Sequence, residues 1–312
     1  MDQILANVQP GQRTARINDM EILVANLQAW RNQLAGLPSP NLAFYGNAPT
    51  WPGGNVYYTF DISVSAAEQK VFLDSAAEWA LFGKLRFITR TTQPNYVTIV
   101  ETNSLDGETS LSGGVSAVGM IGGQQFIYFS SNAWNHGIIC HEIGHTLGLA
   151  HEHQRSDRDS YLTVITNNVA PGSMGGLIKL TGTQNETPYD FLSVMHYAQW
   201  AGSINPPTVA TMVPLPPYSQ FANIMGQGDP KLTPSDRAGM AAMYGAGPAL
   251  TNVVTNTQDS GPGSLRAALY YAYDHRGTTV KFNIPISDPG FSNGVFNIQP
   301  SDVLPSLFTG FP

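Results

Sequence analysis

Near the amino terminus apolar residues recur at three- and four-residue steps: Ile17, Met20, Leu23, Val24, Leu27, Trp30 and Leu34. That spacing places them on one helical face and predicts a single amphipathic helix through the stretch. Leu37-Pro38-Ser39-Pro40 breaks it. From Trp51 the pattern shortens. Val56-Tyr57-Tyr58-Thr59-Phe60, Arg86-Phe87-Ile88-Thr89, Val97-Thr98-Ile99-Val100 and Gln125-Phe126-Ile127-Tyr128-Phe129-Ser130 read as strands. Ser65 and Glu68 form a capping box that opens a helix. Its Phe72, Ala76, Trp79 and Phe82 share one face, with Ser75 the small polar exception, and Gly83 closes it. A Gly/Ser-rich loop precedes the Gln125 strand, and a further helix begins near Trp134. Thr233-Pro234-Ser235-Asp236 starts another, carrying Met240, Met243 and Tyr244 to Gly245. Strands interleaved with helices predict an α+β domain with a mixed sheet.

Three regions follow from these changes in texture. Residues 1–41 are an N-terminal helical extension, either packed on the next domain or removed as a pro-segment. Residues 42–247 form the α+β domain. Residues 248–312 are rich in Thr, Asn, Asp, Gly and Pro and predict a β-rich segment. Apolar residues make up 42% of the chain, ample for a core, and the 12% charged is low against a usual ~25%. A net charge of −7 without any basic run argues against a nucleic-acid partner. No apolar run is long enough to span a bilayer. Cys140 is the single cysteine, so no intrachain disulfide can form. The first residues lack the basic start and apolar stretch of a signal peptide.

The chemistry concentrates between His141 and Asp159. On a helix of ~3.6 residues per turn, His141 and His145 point from one face about a turn apart. Two imidazoles so placed can bind one metal ion, and Glu142 beside them can reach a metal-bound water. Gly148 lets the chain leave the helix, which brings His151 round as a third ligand. Three histidines with an open fourth position suit a catalytic zinc rather than a closed structural one.

Glu152 directly after the third histidine, and then Arg155, Asp157, Arg158 and Asp159, make this stretch resemble the astacin form of the metzincin zinc motif. Tyr189-Asp190-Phe191-Leu192-Ser193-Val194-Met195-His196-Tyr197 is similar to the family's Met-turn. Trp51-Pro52-Gly53-Gly54, Gly113-Gly114-Val115-Ser116 and Ile224-Met225-Gly226 stand in the family's order, and the resemblance covers residues 42–245. It implies a metzincin-like fold, a mixed twisted sheet with an active-site helix. It also implies one catalytic Zn2+ on His141, His145 and His151, and hydrolysis of protein or peptide substrates through a zinc-bound water with Glu142 as general base. Tyr197 is implied as a switching tyrosine that stabilises the transition state, Met195 as an apolar base beneath the metal. Glu152 would face the new N-terminus made on maturation, near Leu42. The family also implies a secreted or cell-surface protein.

The chain departs from the pattern in three ways. Lys84, Gly114, Ala133 and Ala246 stand where family members carry cysteines, which points to a bacterial-type member lacking ~2–4 kcal/mol of stabilisation per bridge. Residues 1–41 contain no F-x-G-D, the motif whose aspartate plugs the family's zinc, so either latency works differently here or the extension is not an inhibitor. Cys140, one residue from His141, projects roughly 100° away around the helix and reads as buried packing. His196 reads as structural, and His136, His153 and His275 as ordinary polar residues. The segment from Asn256 to Leu269 resembles the opening of pectin-lyase-like parallel β-helix domains, cut short, since such coils need stacked neighbours. That resemblance carries the alternative reading: a surface or secreted adhesion protein whose tail contacts carbohydrate, with an accessory or inactive peptidase domain.

Overall fold

A computed structural model describes residues 2–34, 49–105, 111–180, 183–226, 232–301 and 303–305. The break at residues 37–40 and the Leu42 terminus lie outside the described residues. Within the N-terminal stretch the single helix expected from Ile17 to Leu34 is replaced by a hairpin and a shorter helix. After α1 (Asp2–Ala6) come β1 (Thr14–Ile17), β2 (Met20–Leu23) and α2 (Val24–Leu34). Asn18, at φ 54°, turns the chain between the two strands, which pair antiparallel with Ile17 opposite Met20. The reason is alternation: Ala15, Ile17, Met20 and Ile22 are buried and Thr14, Arg16 and Glu21 are less so, a period of two that the longer steps masked. These side chains share a small core with Leu27, Val118 and Leu180.

The hairpin extends a seven-stranded sheet in the order β1-β2-β6-β7-β5-β3-β4. Its other strands are β3 (Asn55–Phe60), β4 (Arg86–Thr89), β5 (Tyr96–Glu101), β6 (Gly114–Ala117) and β7 (Gln124–Phe129). β3, β4, β5 and β7 run parallel, β6 is antiparallel to β7, and β2 is parallel to β6, so the sheet is mixed as expected. The parallel pair β3–β4 needs a crossover, supplied by α3 (Ala66–Trp79). α3 opens with the expected Ser65–Glu68 capping box and ends a turn before Gly83. Phe72, Ala76 and Trp79 of α3 meet Val56, Val97, Ile99, Ile127 and Phe129 of the sheet and Ile139, Ile143 and Leu147 of α4 (His136–Leu147). Each such side chain contributes ~1.5–3 kcal/mol by burial, and this core fixes α4 against the sheet.

β6 was not legible as a strand. Its composition reads as loop, yet all four residues are buried. Beyond α4, β8 (Leu162–Val164) pairs with β9 (Met212–Pro214), and α5 (Pro234–Tyr244) begins at the expected Thr233 cap. Where family cysteines are missing, backbone bonds join the same segments: Lys84 N–H donates to Gly245 O at 3.0 Å, and Gly83 bridges Ala246.

The C-terminal segment is less β-rich than its composition suggests. Its described residues contain α6 (Leu265–Asp274) and four two-residue strands, β10 (Val253–Val254), β11 (Lys281–Phe282), β12 (Phe291–Ser292) and β13 (Val295–Phe296). β10 and β11 are parallel, with α6 between them. α6 packs Ala267 and Tyr270 on Leu81 behind α3. Among the described residues no helix is long and apolar enough to cross a membrane.

Candidate metal centre and active site

α4 is held at both ends. The Asn135 side chain accepts from Ile138 N–H at its start. At its end Gly148 takes φ 108°, a left-handed cap that a β-carbon would strain. Trp79 Nε1 donates to Cys140 O, Trp51 Nε1 to Thr146 O and the Tyr244 hydroxyl to Leu147 O, so three aromatics pin its backbone. From this helix His141 and His145 present rings 4.6 Å apart, and the turn after Gly148 carries His151 to 4.7 Å from His145.

The three imidazoles are set for a common centre. Nδ1–H of His141 donates to Val194 O, that of His145 to Leu149 O and that of His151 to Gln154 Oε1, at 2.7–2.8 Å. With Nδ1 engaged in each ring, Nε2 is the nitrogen that faces the others. His151 Nε2 lies 3.2 Å from His145 Nε2 and 3.3 Å from His141 Nε2. Donors at ~2.0–2.1 Å from a tetrahedral zinc stand about 3.3 Å apart, so the residues present fit that ion. Burial, and then His141 and His151, push His145 well below the usual imidazole range, which keeps it in the neutral ligand form.

A fourth donor arrives from the hairpin turn. Asp19 Oδ2 is 3.2 Å from Nε2 of both His141 and His151, and ligand atoms of all four residues lie within 4.8 Å of one another. Burial raises the Asp19 pKa, but His151 and His141 outweigh it and hold the carboxyl well below its ordinary range. Asp19 O accepts from Ser116 N–H, and Glu21 O from Val118 N–H, so the turn is registered on β6. Asn18 presses on Gly176, where a β-carbon would sit 1.7 Å from its Nδ2. The absence of an F-x-G-D string did not mean the absence of an aspartate. The available signal was Asn18-Asp19, a turn-forming pair between the apolar Ile17 and Met20.

Glu142 is 2% exposed, and its Oε2 has no hydrogen-bond partner among the described residues. Burial, then the Asp19 carboxylate, push it well above the ordinary carboxylate range. Gly114 makes its position possible: a β-carbon there would fall 2.4 Å from Glu142 Cγ. Gly114 is a site residue that the sequence offered only as part of a family-ordered segment and as a missing cysteine.

Met195 is buried under α4, with its sulfur 2.6 Å from where a Gly144 β-carbon would be. Tyr197 lies 4.3 Å from His151 between ring centroids, and burial, then the Asp19 carboxylate, hold its hydroxyl well above the ordinary phenol range. Glu152 accepts from Arg155 and from Asp190 N–H; burial, against the nearby Arg155, raises it to about 7. It borders a cavity of about 110 Å³ shared with Asp236, Ser193 and Met243. Asp236 receives Ser193 Oγ–H and Val194 N–H, which anchors the Met-turn to the start of α5.

The remaining histidines divide. His275 is exposed. His196 is buried between the Tyr189 hydroxyl and Tyr197 O. His136, expected to be an ordinary polar residue, is 1% exposed and meets Glu78 Oε2 at 2.9 Å behind α4, beside Cys140 Sγ at 3.4 Å. Burial works against its imidazolium, but Cys140 and then Glu78 outweigh it and raise the pKa to about 11. His153, placed in the same class from sequence, is fully buried beside Tyr197.

Residues 44–245 match the family model described as Astacin, a peptidase family. Zinc metalloproteinase nas-12 of Caenorhabditis elegans is 36% identical over 173 residues, which is 54% of this chain and 43% of that protein. Astacin-like metalloendopeptidase of Mus musculus is 35% identical over 173 residues, 53% of this chain and 38% of that one. This chain thus spans less than half the length of either relative. Among solved structures, high choriolytic enzyme 1, a hatching enzyme zinc-protease from Oryzias latipes, superposes with a TM-score of 0.56 at 28% identity, covering 65% of this chain and 97% of that one.

Proposed function

The chain belongs to the astacin family, and from that premise we propose that it is a zinc-dependent endopeptidase held latent by its own N-terminal segment. The observation that carries the reading is the convergence of three histidine Nε2 atoms beside the buried Glu142 carboxylate, whose Oε2 has no partner among the described residues. When bound there, zinc supplies a Lewis acid that lowers the pKa of a water to ~7. Glu142, close by and shielded from solvent, takes a proton from the attacking water and later delivers it to the leaving amine. Tyr197 is positioned to donate its hydroxyl proton toward the oxyanion that forms on the scissile carbonyl. Gly114 keeps room for Glu142, and Met195 supports the helix from below.

Asp19 occupies the position that substrate and water require, so in this form residues 1–41 act as a latch. Cleavage near Leu42 would remove it. The cavity beside Glu152 and Asp236 then offers two carboxylates to a new α-ammonium group. The parallel β10–β11 pair around α6 supports reading residues 248–305 as the first turn of a β-helix. Protein or peptide is the substrate, and an exported or surface-displayed chain is the reading that goes with the family.

Casein digestion tests this. The trimmed chain is expected to digest casein, a chelator to stop it, and Glu142→Ala to lower the rate by at least a hundredfold. Amino-terminal sequencing of the active form should find a new terminus near Leu42; an active form that still begins at Met1 would count against the latch.

A further inference from the structure

His153 sits two residues beyond the third ligand and makes no contact that metal binding needs. It is nonetheless fully buried, and both ring nitrogens are used. Tyr197 N–H donates to its Nδ1 at 3.3 Å, and its Nε2–H donates to Gly176 O at 2.8 Å. Because one partner is a donor and the other an acceptor, only the neutral tautomer with the proton on Nε2 satisfies both. The ring stacks on Tyr197 at 4.5 Å and 28°, and on its other neighbour His151 at 5.0 Å and 27°. Arg158 fixes the backbone beneath it by donating to His153 O and Leu177 O. The imidazole therefore joins three parts of the cleft: the third ligand, the Met-turn tyrosine and the Gly175–Gly176 lip on which Asn18 rests.

We infer that His153 is a positioning residue for Tyr197, setting the amide and ring of the tyrosine relative to His151 and the Gly176 lip. This rests on the reading of Tyr197 as the residue that stabilises the transition state. A tyrosine whose backbone is tied at the amide can swing its side chain while its Cα stays fixed, and its hydroxyl returns to the same place on each cycle. Small displacements of such a donor lower the rate more than they weaken substrate binding. An ordinary packing histidine predicts something else: any well-filled side chain should replace it.

Two variants separate these roles. His153→Gln can still accept from Tyr197 N–H and donate to Gly176 O, while His153→Phe keeps the stack and loses both bonds. Hydrogen exchange at the Tyr197 amide of the zinc-loaded full chain should speed up about tenfold in His153→Phe and stay near the parent rate in His153→Gln. In the full chain carrying Asp19→Ala, His153→Phe should lower kcat about tenfold with KM changed less than twofold, and His153→Gln should restore kcat. Exchange at Tyr197 that is unchanged in His153→Phe, or equal losses in both variants, would overturn the proposal. Tyr197→Phe is the control for the underlying reading. If it leaves kcat unchanged, the role of Tyr197 fails, while the exchange data still decide whether His153 holds it.

Discussion

Two segments outside the family-matched region dock on different parts of the domain, one at the histidine cluster and one behind α3, and they dock by different chemistry. In front, the N-terminal hairpin lays β2 along β6 and puts Asp19 among the ligands. Its hold is strand pairing, a small core and one carboxylate, with Asn18 exposed and Asp19 only partly covered. Behind, α6 inserts Arg266 and Tyr270, each 0% exposed, against Glu78 of α3, also 0% exposed. The Tyr270 hydroxyl donates to Glu78 and accepts from Leu232 N–H; Arg266 bonds Asp259, and Ser301 ties Asp259 to Asp74. Arg237 adds a two-bond pair with Asp274. The front contact can be peeled away and leave satisfied groups exposed to water. The back contact cannot, because separation would strand buried charges. Under the proposed reading one segment is a latch and the other part of the body of the protein.

The largest effect is expected at the back. Glu78→Ala would leave His136 and Arg266 facing each other without their carboxylate, at a cost of about 3–5 kcal/mol. Thermal unfolding should show this as a transition lowered by roughly 10 °C or more. Cutting the chain after Gly247 should abolish the cooperative transition, whereas removing residues 1–41 should preserve it. Equal losses from the two deletions would erase the distinction. A smaller effect is expected at the front. Gly176→Ala places a methyl 1.7 Å from the present position of Asn18 Nδ2, which must move. Overpacking of this kind costs ~1–3 kcal/mol, so hydrolysis by the uncut chain should rise about tenfold.

The back also carries a pH dependence. The pKa of His136 in the folded chain, about 11, lies above its unfolded value near 6.5. Its contribution is therefore complete below pH ~6.5 and is lost as pH rises toward 11. Melting temperatures measured from pH 7 to 10 should fall, and Glu78→Gln should flatten that slope. A slope unchanged in Glu78→Gln would place its origin elsewhere.

The difference between the two sides also explains what the sequence disclosed. The ligand helix, the Ser65 capping box, the Thr233 helix start and the central strands were legible because their signals are local: Ser65 with Glu68, Thr233 with Pro234 and Asp236, His141 with His145. The hairpin was not, because Ile17, Met20 and Leu23 fit a helical step, while the strand pattern of Ala15, Ile17, Met20 and Ile22 is interrupted by the turn at Asn18. What decides between them is β6, about a hundred residues away. β6 was itself hidden by Gly113-Gly114, of which Gly113 takes φ 93° and Gly114 leaves room for Glu142. Asp19 was overlooked for the same reason, since its role is created by docking and not by a motif. His136 and His153 read as plain polar residues because their partners, Glu78 and Gly176, are supplied by other elements. In the tail the expected β-rich segment holds α6, and its strands proved only two residues long.

The latch and the site it covers meet in one comparison. Peptide hydrolysis is measured for the uncut, zinc-loaded parent chain, for Asp19→Ala and for Asp19→Ala with Glu142→Ala. Loss of a charged partner worth ~1.5–3 kcal/mol should release hydrolysis in Asp19→Ala by about 10- to 100-fold over the parent, and the added Glu142→Ala should return it to the background seen with chelator. Equal rates for the parent and Asp19→Ala, or hydrolysis that survives Glu142→Ala, would contradict the account.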